Sequence, residues 1–426
     1  MTAVLLVFAA FVGIGVPIAF GLGAAGAVGL WLMDGVPLTV IASRTFGAMD
    51  SFTFLAIPFF ILAGELMETG GISRRLIAFA AAMVGHIRGG LGNVVVVAMM
   101  LFSGISGSTN ADAAAVGSVM IPSMKARGYS GARAGAIVAA AAGMGILVPP
   151  CLTMVVYGSV TGTSIAALFA AGFLPAFAMA AALLLHIRLE ERRAGLLPEP
   201  RLPWPERFAA LRAAGGALLL PVIIFGGILG GVFTPTEAAV VAVAYALLAG
   251  ALYREITPAF FWRALVRTGV TTGAVMLMVA GANILAWVMT VQQVPQSLAA
   301  GIAAVGGGRV LFMLFSILVF LILFALLDGL PGMLMLIPVF VPIAREMGID
   351  LLHYGIVMTT VMGIALFMPP LGVGLYIVLG LSGARIGELS RHLLPYLGTM
   401  LVVAVVIAFF PGLVFVVPTL LGLYGG

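Results

Sequence analysis

Uncharged apolar stretches dominate this sequence and leave few folds open to it. Of its 426 residues, 63% are hydrophobic and only 8% are charged, which excludes a soluble fold. About 20 apolar residues cross a hydrocarbon core of about 30 Å, so this content allows on the order of ten crossings. We therefore expect an all-α polytopic membrane protein in a lipid bilayer. The net charge of +5 then reports membrane topology and indicates no nucleic-acid partner.

Nine apolar segments are long enough to be membrane spans. They cover residues 3–33, 51–68, 134–158, 164–187, 213–233, 236–253, 268–291, 353–380 and 393–421. Two further stretches, 91–124 and 310–344, are too long for one helix and are interrupted by small or polar residues.

The basic residues give these segments a direction. Seventeen of the twenty Lys and Arg residues fall on one side of the membrane, and only Arg44, Arg309 and Arg345 fall on the other. The positive-inside rule makes the richer side cytoplasmic, with a cytoplasmic N-terminus and a periplasmic C-terminus. Stretch 91–124 then begins and ends inside, and 310–344 begins and ends outside. Because each arm of the first is about 14 residues, or ~21 Å of helix, we predict two re-entrant helical hairpins.

The two halves of the chain resemble each other in their helix-breaking residues. A shift of 220 residues superposes seven Gly or Pro positions, including the Pro pair at 149–150 on that at 369–370, where chance gives roughly three. The charges send span 134–158 outward and span 353–380 inward, so we predict an inverted repeat, as in secondary transporters. The alternative is that membrane helices are simply rich in Gly and Pro.

These patterns divide the chain into five parts. They are scaffold helices over 1–68, a first repeat over 69–187, a cytoplasmic loop over 188–212, scaffold helices over 213–267 and a second repeat over 268–421. Short interfacial helices are expected at 76–82 and 298–305.

Polar residues gather at the turn of the first hairpin, deep in an apolar setting. They are Ser103, Ser106, Ser108, Thr109, Asn110 and Asp112. Neutral oxygens suit a desolvated Na⁺ or the hydroxyls of a substrate, and a carboxylate would neutralise a cation. The alternative is that they only cap two half-helices.

The second hairpin turns at Asp328, beside Gly329 and Gly332. An acid at that depth is a candidate functional residue, and its alternative role is to cap the second arm.

Each Pro pair interrupts a span and frees upstream carbonyls, so we predict two broken helices whose carbonyls near Gly145 and Ala365 bind a cation. The alternative is a plain packing kink. Further candidates flank the breaks, namely Pro149, Cys151, Thr153, Pro369 and Gly372.

Two other acids lie at the ends of predicted spans. Glu237 in Thr234-Pro-Thr-Glu is typical of a helix start. Glu65 is expected to snorkel or to pair with Arg74 or Arg75.

An enzyme is not expected. Gly104-Ile-Ser-Gly107 matches the motif of rhomboid-type proteases, which need a histidine base at that depth, but all four His fall at span ends or in loops. Phosphate-binding motifs are absent, which argues against an ATP-driven pump.

Several runs together resemble the large membrane (M, DctM-like) subunit of tripartite ATP-independent periplasmic (TRAP) transporters. They are Ile57-Pro-Phe-Phe-Ile-Leu-Ala-Gly-Glu-Leu-Met67, Gly85-His-Ile-Arg-Gly-Gly-Leu-Gly92, Phe102-Ser-Gly-Ile-Ser-Gly107, Ala111-Asp-Ala-Ala-Ala115, Pro149-Pro150 with Tyr157-Gly158, and Phe233-Thr-Pro-Thr-Glu-Ala-Ala239. This resemblance implies an elevator-type, usually Na⁺-coupled importer of organic acids in the bacterial inner membrane, with no cofactor besides the coupling ion. It also implies two partners, a small four-helix membrane subunit (Q) and a periplasmic substrate-binding protein (P). The site would lie between the hairpin tips and the broken helices.

The sequence departs from that family pattern around both breaks. Cys151 stands where Ser is usual, and Val361, Met368 and Gly374 stand where Asn, Thr and Asn are expected. The coupling ion, Na⁺ or H⁺, therefore stays open. A single-component carboxylate or arsenite-type permease is the alternative transporter, and a channel or non-transport scaffold is a weaker one.

Overall fold

A computed structural model describes residues 2–33, 36–67, 72–87, 89–194, 200–253, 256–304 and 308–425, and every regular element in these ranges is helical. The first half contains α1 (Thr2–Gly13), α2 (Ile18–Trp31), α3 (Thr39–Met49), a 3₁₀ turn (Phe52–Leu55), α4 (Ala56–Met67), α5 (Ile72–Val84), α6 (Gly90–Ser106), α7 (Thr109–Ala126), α8 (Gly131–Gly145), α9 (Leu152–Thr161) and α10 (Ile165–Ala194). The second half contains α11 (Trp204–Leu229), α12 (Pro235–Leu252), α13 (Pro258–Val291), α14 (Val294–Ala304), α15 (Gly308–Leu327), α16 (Gly329–Glu346), α17 (Leu351–Ala365), α18 (Val373–Ser382), α19 (Ile386–Phe409) and α20 (Gly412–Leu420).

Helix ends in the two halves match at the predicted spacing. The helix α7 ends at Ala126 and α16 ends at Glu346, 220 residues later, and α8 and α17 end at Gly145 and Ala365 with the same spacing. Both breaks that follow contain a cis Pro-Pro bond. The two Pro-broken helices, α8–α9 and α17–α18, are therefore built alike.

The broken helices run in opposite directions, as an inverted repeat requires. At one end of the bundle, which we call the basic face, Gly131 of α8 packs on the carbonyl of Ser382 of α18, to which Lys125 donates at 3.5 Å. At the other end, the far face, the Tyr157 hydroxyl of α9 donates to the carbonyl of Leu351 at 2.8 Å. The beginning of each broken helix thus meets the end of the other.

The two broken helices cross at a pair of equivalent glycines. A Cβ on Gly143 would lie 2.6 Å from the carbonyl oxygen of Gly363, and a Cβ on Gly363 would collide with the carbonyl oxygen of Gly143. Only glycine allows two helices to approach so closely. Each glycine thus packs on the carbonyl of the residue 220 positions away, as the predicted repeat would have it.

Both hairpins fold back on themselves, and their tips stop beside the breaks. Gly107 at the first tip faces the carbonyl of Pro150, and Gly329 at the second faces Met362, three residues before α17 ends. The open end of the second hairpin is closed by a bond from Arg309 Nε to the carbonyl of Met347, at 2.6 Å.

Within the described residues, seven helices are long and apolar enough to cross a membrane, or up to eight if the bent α3–α4 pair is one span. Both arms of the second hairpin, with 20 and 18 residues, are among these seven helices. The two arms are identified as a hairpin because they pack on each other, and not because they are too short to cross a membrane.

The predicted single span over 3–33 is wrong. The chain turns between α1 and α2, and Gly29 packs on Val4 while Gly21 packs on Phe11, so the two helices are antiparallel. Helices of 12 and 14 residues are only about 18 and 21 Å long. Gly29 also packs on Val288, near the end of α13, so the chain begins at that end of the bundle and not at the opposite one.

Other predicted span boundaries differ from the helix boundaries in the structure. A charged residue can mark the end of an apolar span while the helix continues past it. The predicted loop 188–212 is helical over 188–194 and 204–212, with 195–199 outside the described residues, as are Arg88 and Arg254. The predicted span 268–291 is the second part of α13, and span 393–421 is split into α19 and α20. Span 51–68 is the 3₁₀ turn with α4, bent 61° from α3.

Packing separates a frame from the rest. In the frame, α13 packs along α2, α3 and α4, and α12 packs along α4 and α11. The first hairpin, the broken helices, α10 and α19 pack chiefly on one another, and α5 bridges α6 and α11. The second hairpin also packs on the frame, through the contact of α16 with α13. The predicted start of the second repeat at 268 lies inside α13, which contacts both the frame helices and α16, and it stays a prediction.

Candidate functional site

A buried carboxylate organises the tip of the first hairpin. Asp112, only 1% exposed, lies in the first turn of α7 and accepts hydrogen bonds from the hydroxyls of Ser103 and Ser106 at the end of α6. Each serine bonds a different carboxylate oxygen, so Asp112 ties the two arms of the hairpin together. Each hydroxyl donates its one proton to Asp112 and can therefore only accept further bonds. The Ser106 hydroxyl accepts one from Ser108 N at 3.1 Å.

The first broken helix approaches this carboxylate through a glycine. A Cβ on Gly145 would collide with Ser103 Oγ and would lie 3.7 Å from Asp112 Oδ2. Gly104 and Gly107 likewise approach the carbonyls of Pro149 and Pro150. The tip and the first break therefore form one continuous polar surface.

Of the remaining predicted residues of the first tip, two lie at the start of α7 and one faces the second half of the chain. Ser108 occupies the N-cap of α7, and Thr109 is buried at its first turn. The Oδ1 atom of Asn110 is buried without a hydrogen-bond partner among the described residues, and it faces Gly374 at the start of α18. The site thus reaches across the repeat axis into the second half.

The predicted carbonyl ligands at the breaks already hold one bond each. The carbonyl of Gly145 accepts from Val148 N at 2.8 Å, and that of Ala365 accepts from Met368 N at 3.0 Å. Each oxygen keeps a second lone pair.

The flanking candidates occupy caps and packed positions. Cys151 and Gly372 are the N-caps of α9 and α18, and Thr153 is buried in α9. The carbonyl of Pro370, next to Pro369, accepts from the Tyr376 hydroxyl at 2.7 Å.

The tip of the second hairpin is organised differently. Asp328 has a positive φ of 66° and accepts from its neighbour Gly329 N at 2.8 Å, so it caps α16. Gly332 packs inside the hairpin against the ring of Phe324. The predicted capping role of Asp328 is therefore confirmed, while its proposed part in transport stays a prediction.

A cleft of about 320 Å³ opens beside the first tip. Its walls are Ser106, Gly107 and Ser108 of the hairpin, Pro150 and Leu152 of the break, Phe60, Gly64 and Glu65 of α4, and Arg267 and Thr271 of α13. A larger cavity of about 880 Å³ lies between α13, α16 and the end of α9, and the polar tip does not line it.

Arg267 is the charged residue of the cleft that the sequence did not reveal. It was expected in a cytoplasmic loop, yet it lies inside α13 with its Nη1 3.5 Å from Glu65 Oε2. Glu65 was expected to snorkel or to pair with Arg74 or Arg75, but it pairs with Arg267, and Arg75 stacks 3.9 Å over the ring of Tyr253. Glu237 forms the expected helix start, a capping box with Thr234.

Three comparisons with known proteins bear on this site. A family model described as the DctM component of the tripartite ATP-independent periplasmic transporters matches residues 5–413. The chain is 40% identical to the C4-dicarboxylate TRAP transporter large permease protein DctM of Pseudomonas aeruginosa, over 94% of each chain. It is 38% identical to the sialic acid TRAP transporter large permease protein SiaM of Vibrio cholerae, over 96% of each.

A solved structure supports the fold alone. The YdaH transporter of Alcanivorax borkumensis superposes with a TM-score of 0.68 at 17% identity, covering 93% of this chain and 97% of that one.

Proposed function

The chain belongs to the DctM family of TRAP transporter large permeases, and from this premise we propose that it imports an organic acid across the inner membrane, coupled to Na⁺. Proteins of this family are permease subunits and not enzymes. In keeping with this, Ser106 donates to a carboxylate and not to a histidine.

One observation carries the proposal: Asp112 with its two serine donors, set where the hairpin tip meets the first break. A charged group at such depth is costly and is retained for ion or substrate binding. The adjoining cleft gives a solute access to the tip, where the hydroxyl of Ser108 lines the cleft and can donate to an oxygen of an organic acid. The hydroxyls of Ser103 and Ser106 donate to Asp112 instead.

The residues present also fit a sodium ion. Both lone pairs of the Ser103 hydroxyl and one of the Ser106 hydroxyl are unused, and the Asn110 amide oxygen is buried without a partner among the described residues. Neutral oxygens with one carboxylate nearby match the preference of a hard cation. We propose that these three residues, with the carbonyls of Gly145 and Ala365, hold the ion, whose charge would offset that of an anionic solute.

We propose an elevator movement in which the hairpins, the broken helices, α10 and α19 move against the frame. The packing supports this division, since the frame helices contact one another along their lengths. From the positive-inside rule we infer that the basic face is cytoplasmic and that the cleft, which Arg267 lines near the start of α13, opens on that side. The antiparallel α1–α2 pair then gives a periplasmic N-terminus in place of the cytoplasmic one expected from sequence.

The proposed partners are a small four-helix membrane subunit and a periplasmic binding protein, as the family's tripartite description suggests. The alternative, a single-component ion-coupled carboxylate permease, needs neither partner.

Reconstitution tests these statements together. The permease, its co-expressed small subunit and the binding protein encoded beside it would be placed in proteoliposomes and offered radiolabelled succinate or N-acetylneuraminate, acids suggested by the relatives' names. We expect uptake that requires the binding protein and an inward Na⁺ gradient. Uptake without the binding protein would favour the single-component alternative. Equal uptake under a proton gradient without Na⁺ would overturn the coupling proposal, and flux that does not saturate would indicate a channel.

A further inference from the structure

We propose that Glu65 and Arg267 form an anion-exchange point on the frame wall of the cleft. A carboxylate of the solute replaces Glu65 on the Arg267 guanidinium as the solute passes between the first hairpin tip and the cleft. The inference rests on the proposed function, because it takes the solute to be an organic acid.

The ion pair lies next to the polar tip. Gly64, the residue before Glu65, packs so closely on the tip that a Cβ would lie 2.6 Å from the carbonyl oxygen of Ser106. Arg267 and Thr271, one turn apart on α13, line the same cleft as Ser106 and Ser108. A solute leaving the tip therefore enters the cleft that Arg267 lines.

The pair is loose enough to exchange. Its 3.5 Å separation exceeds the usual 2.7–2.9 Å of a charge-assisted hydrogen bond. The Arg267 side chain is 67% exposed, whereas that of Glu65 is 22% exposed. Exposed pairs of this kind typically contribute no more than about 1 kcal/mol. A carboxylate that bonds the planar guanidinium through both oxygens competes well with such a contact.

Glu65 is the one ion-pair partner that the described part of the chain gives Arg267. Both residues stand on frame helices, so they stay in place whichever way the hairpin moves. Glu65 can then pair with Arg267 again after the solute has left. This would prevent the Arg267 guanidinium from retaining an anionic solute.

Variants on the frame test this exchange. The reconstituted complex would be assayed by counterflow with whichever of succinate and N-acetylneuraminate the wild type transports, the acid being presented at the cleft side. We expect Glu65→Gln to lower the half-saturating concentration about fivefold, because the competing carboxylate is gone, and Arg267→Gln to raise it about tenfold. Arg263→Gln, an exposed arginine one turn earlier on α13 that does not line the cleft, is the matched control and should change it less than twofold.

A structural salt bridge predicts a different pattern. Removing either partner would then shift the half-saturating concentration in the same direction, and would lower the unfolding temperature of the purified complex alike. The uncharged amide of the same acid, used as a competitor, should inhibit wild type and both variants equally if exchange is correct. Shifts of the same sign, or equal shifts for acid and amide, in an active complex overturn this inference alone. A wild-type complex that transports neither acid overturns the proposed function, and the inference with it.

Discussion

The two hairpin tips share a backbone plan and differ in chemistry. Ser108 and Asp328, 220 residues apart, each occupy the N-cap of a second arm, and each tip faces a break with a cis Pro-Pro bond. Four polar residues of the first tip have apolar counterparts in the second. In that order, Ser103, Ser106, Asn110 and Asp112 correspond to Leu323, Leu326, Leu330 and Gly332.

This difference shows that the two halves share a backbone shape and not a set of ligands. The glycine crossing and the hairpin turns recur in both halves because they depend on backbone approach, which only a few residue types allow. At the hairpin tips, the hydroxyls and the carboxylate that accepts from them occur in the first half only. We therefore expect variants of the first half to impair transport more than their counterparts in the second.

Asp112→Asn should have the largest effect, lowering the uptake rate about 100-fold or more. The neutral amide removes the charge that balances a cation and cannot accept both serine hydroxyls in the same way, which leaves buried polar groups unsatisfied. Uptake by proteoliposomes measures the loss, and co-purification of the small subunit controls for folding. A rate within threefold of wild type would end the assignment of the site to the first tip.

Gly145→Ala should come next, with uptake lowered about tenfold. The added methyl group would collide with Ser103 Oγ and separate the break from the tip, whereas the second half already has alanine at the equivalent position 365. The reverse change, Ala365→Gly, is the matched control and should leave the rate within twofold. If Gly145→Ala and Ala365→Gly changed the uptake rate equally, the close approach of the first break to the hairpin tip would have no special part in transport.

Asp328→Asn should lower uptake about threefold. Asparagine is also a good N-cap and tolerates a positive φ, so α16 keeps its start and only the charge is lost. Measured side by side with Asp112→Asn, this variant compares the two acids directly. A loss as large as that of Asp112→Asn would show that the second tip contributes ligand chemistry of its own.

Cys151→Ser should have the smallest effect, less than about twofold. Cys151 is buried at the N-cap of α9 and makes no side-chain capping bond, so a smaller hydroxyl fits and can cap the helix instead. The Na⁺ dependence of uptake should stay unchanged. A lower half-saturating Na⁺ concentration would extend the ligand set beyond the hairpin tip.

Much of the fold could be predicted from the sequence because it follows from local signals. Gly and Pro mark the hairpin turns and the breaks, and the few charges order the segments. Antiparallel pairing of α1 with α2 was missed, since one uncharged run of about thirty residues meets the length of a span as well as that of two short helices. The turn rests on Gly15, with a positive φ of 79°, and on Pro17 at the start of α2.

The candidate site was predicted in its residues but not in its contacts. Asp112, Ser103 and Ser106 could be grouped because they lie within ten positions of one another. The pairing of Glu65 with Arg267 depends on how α4 packs against α13, two helices about 200 residues apart. Arg267 also lies past the start of α13, where the charge suggested a loop although the helix continues.

The crossing of Gly143 and Gly363 has a consequence for how the protein is made. The face of α8 that meets α17 has no partner until about 220 further residues have been synthesised, which at 5–20 residues per second takes roughly 10–45 s. Through that interval α8 waits in the membrane with its crossing surface uncovered, exposed to wrong partners. Biogenesis of the first half is therefore expected to need protection, from lipid, an insertase or a membrane chaperone, until the second half arrives.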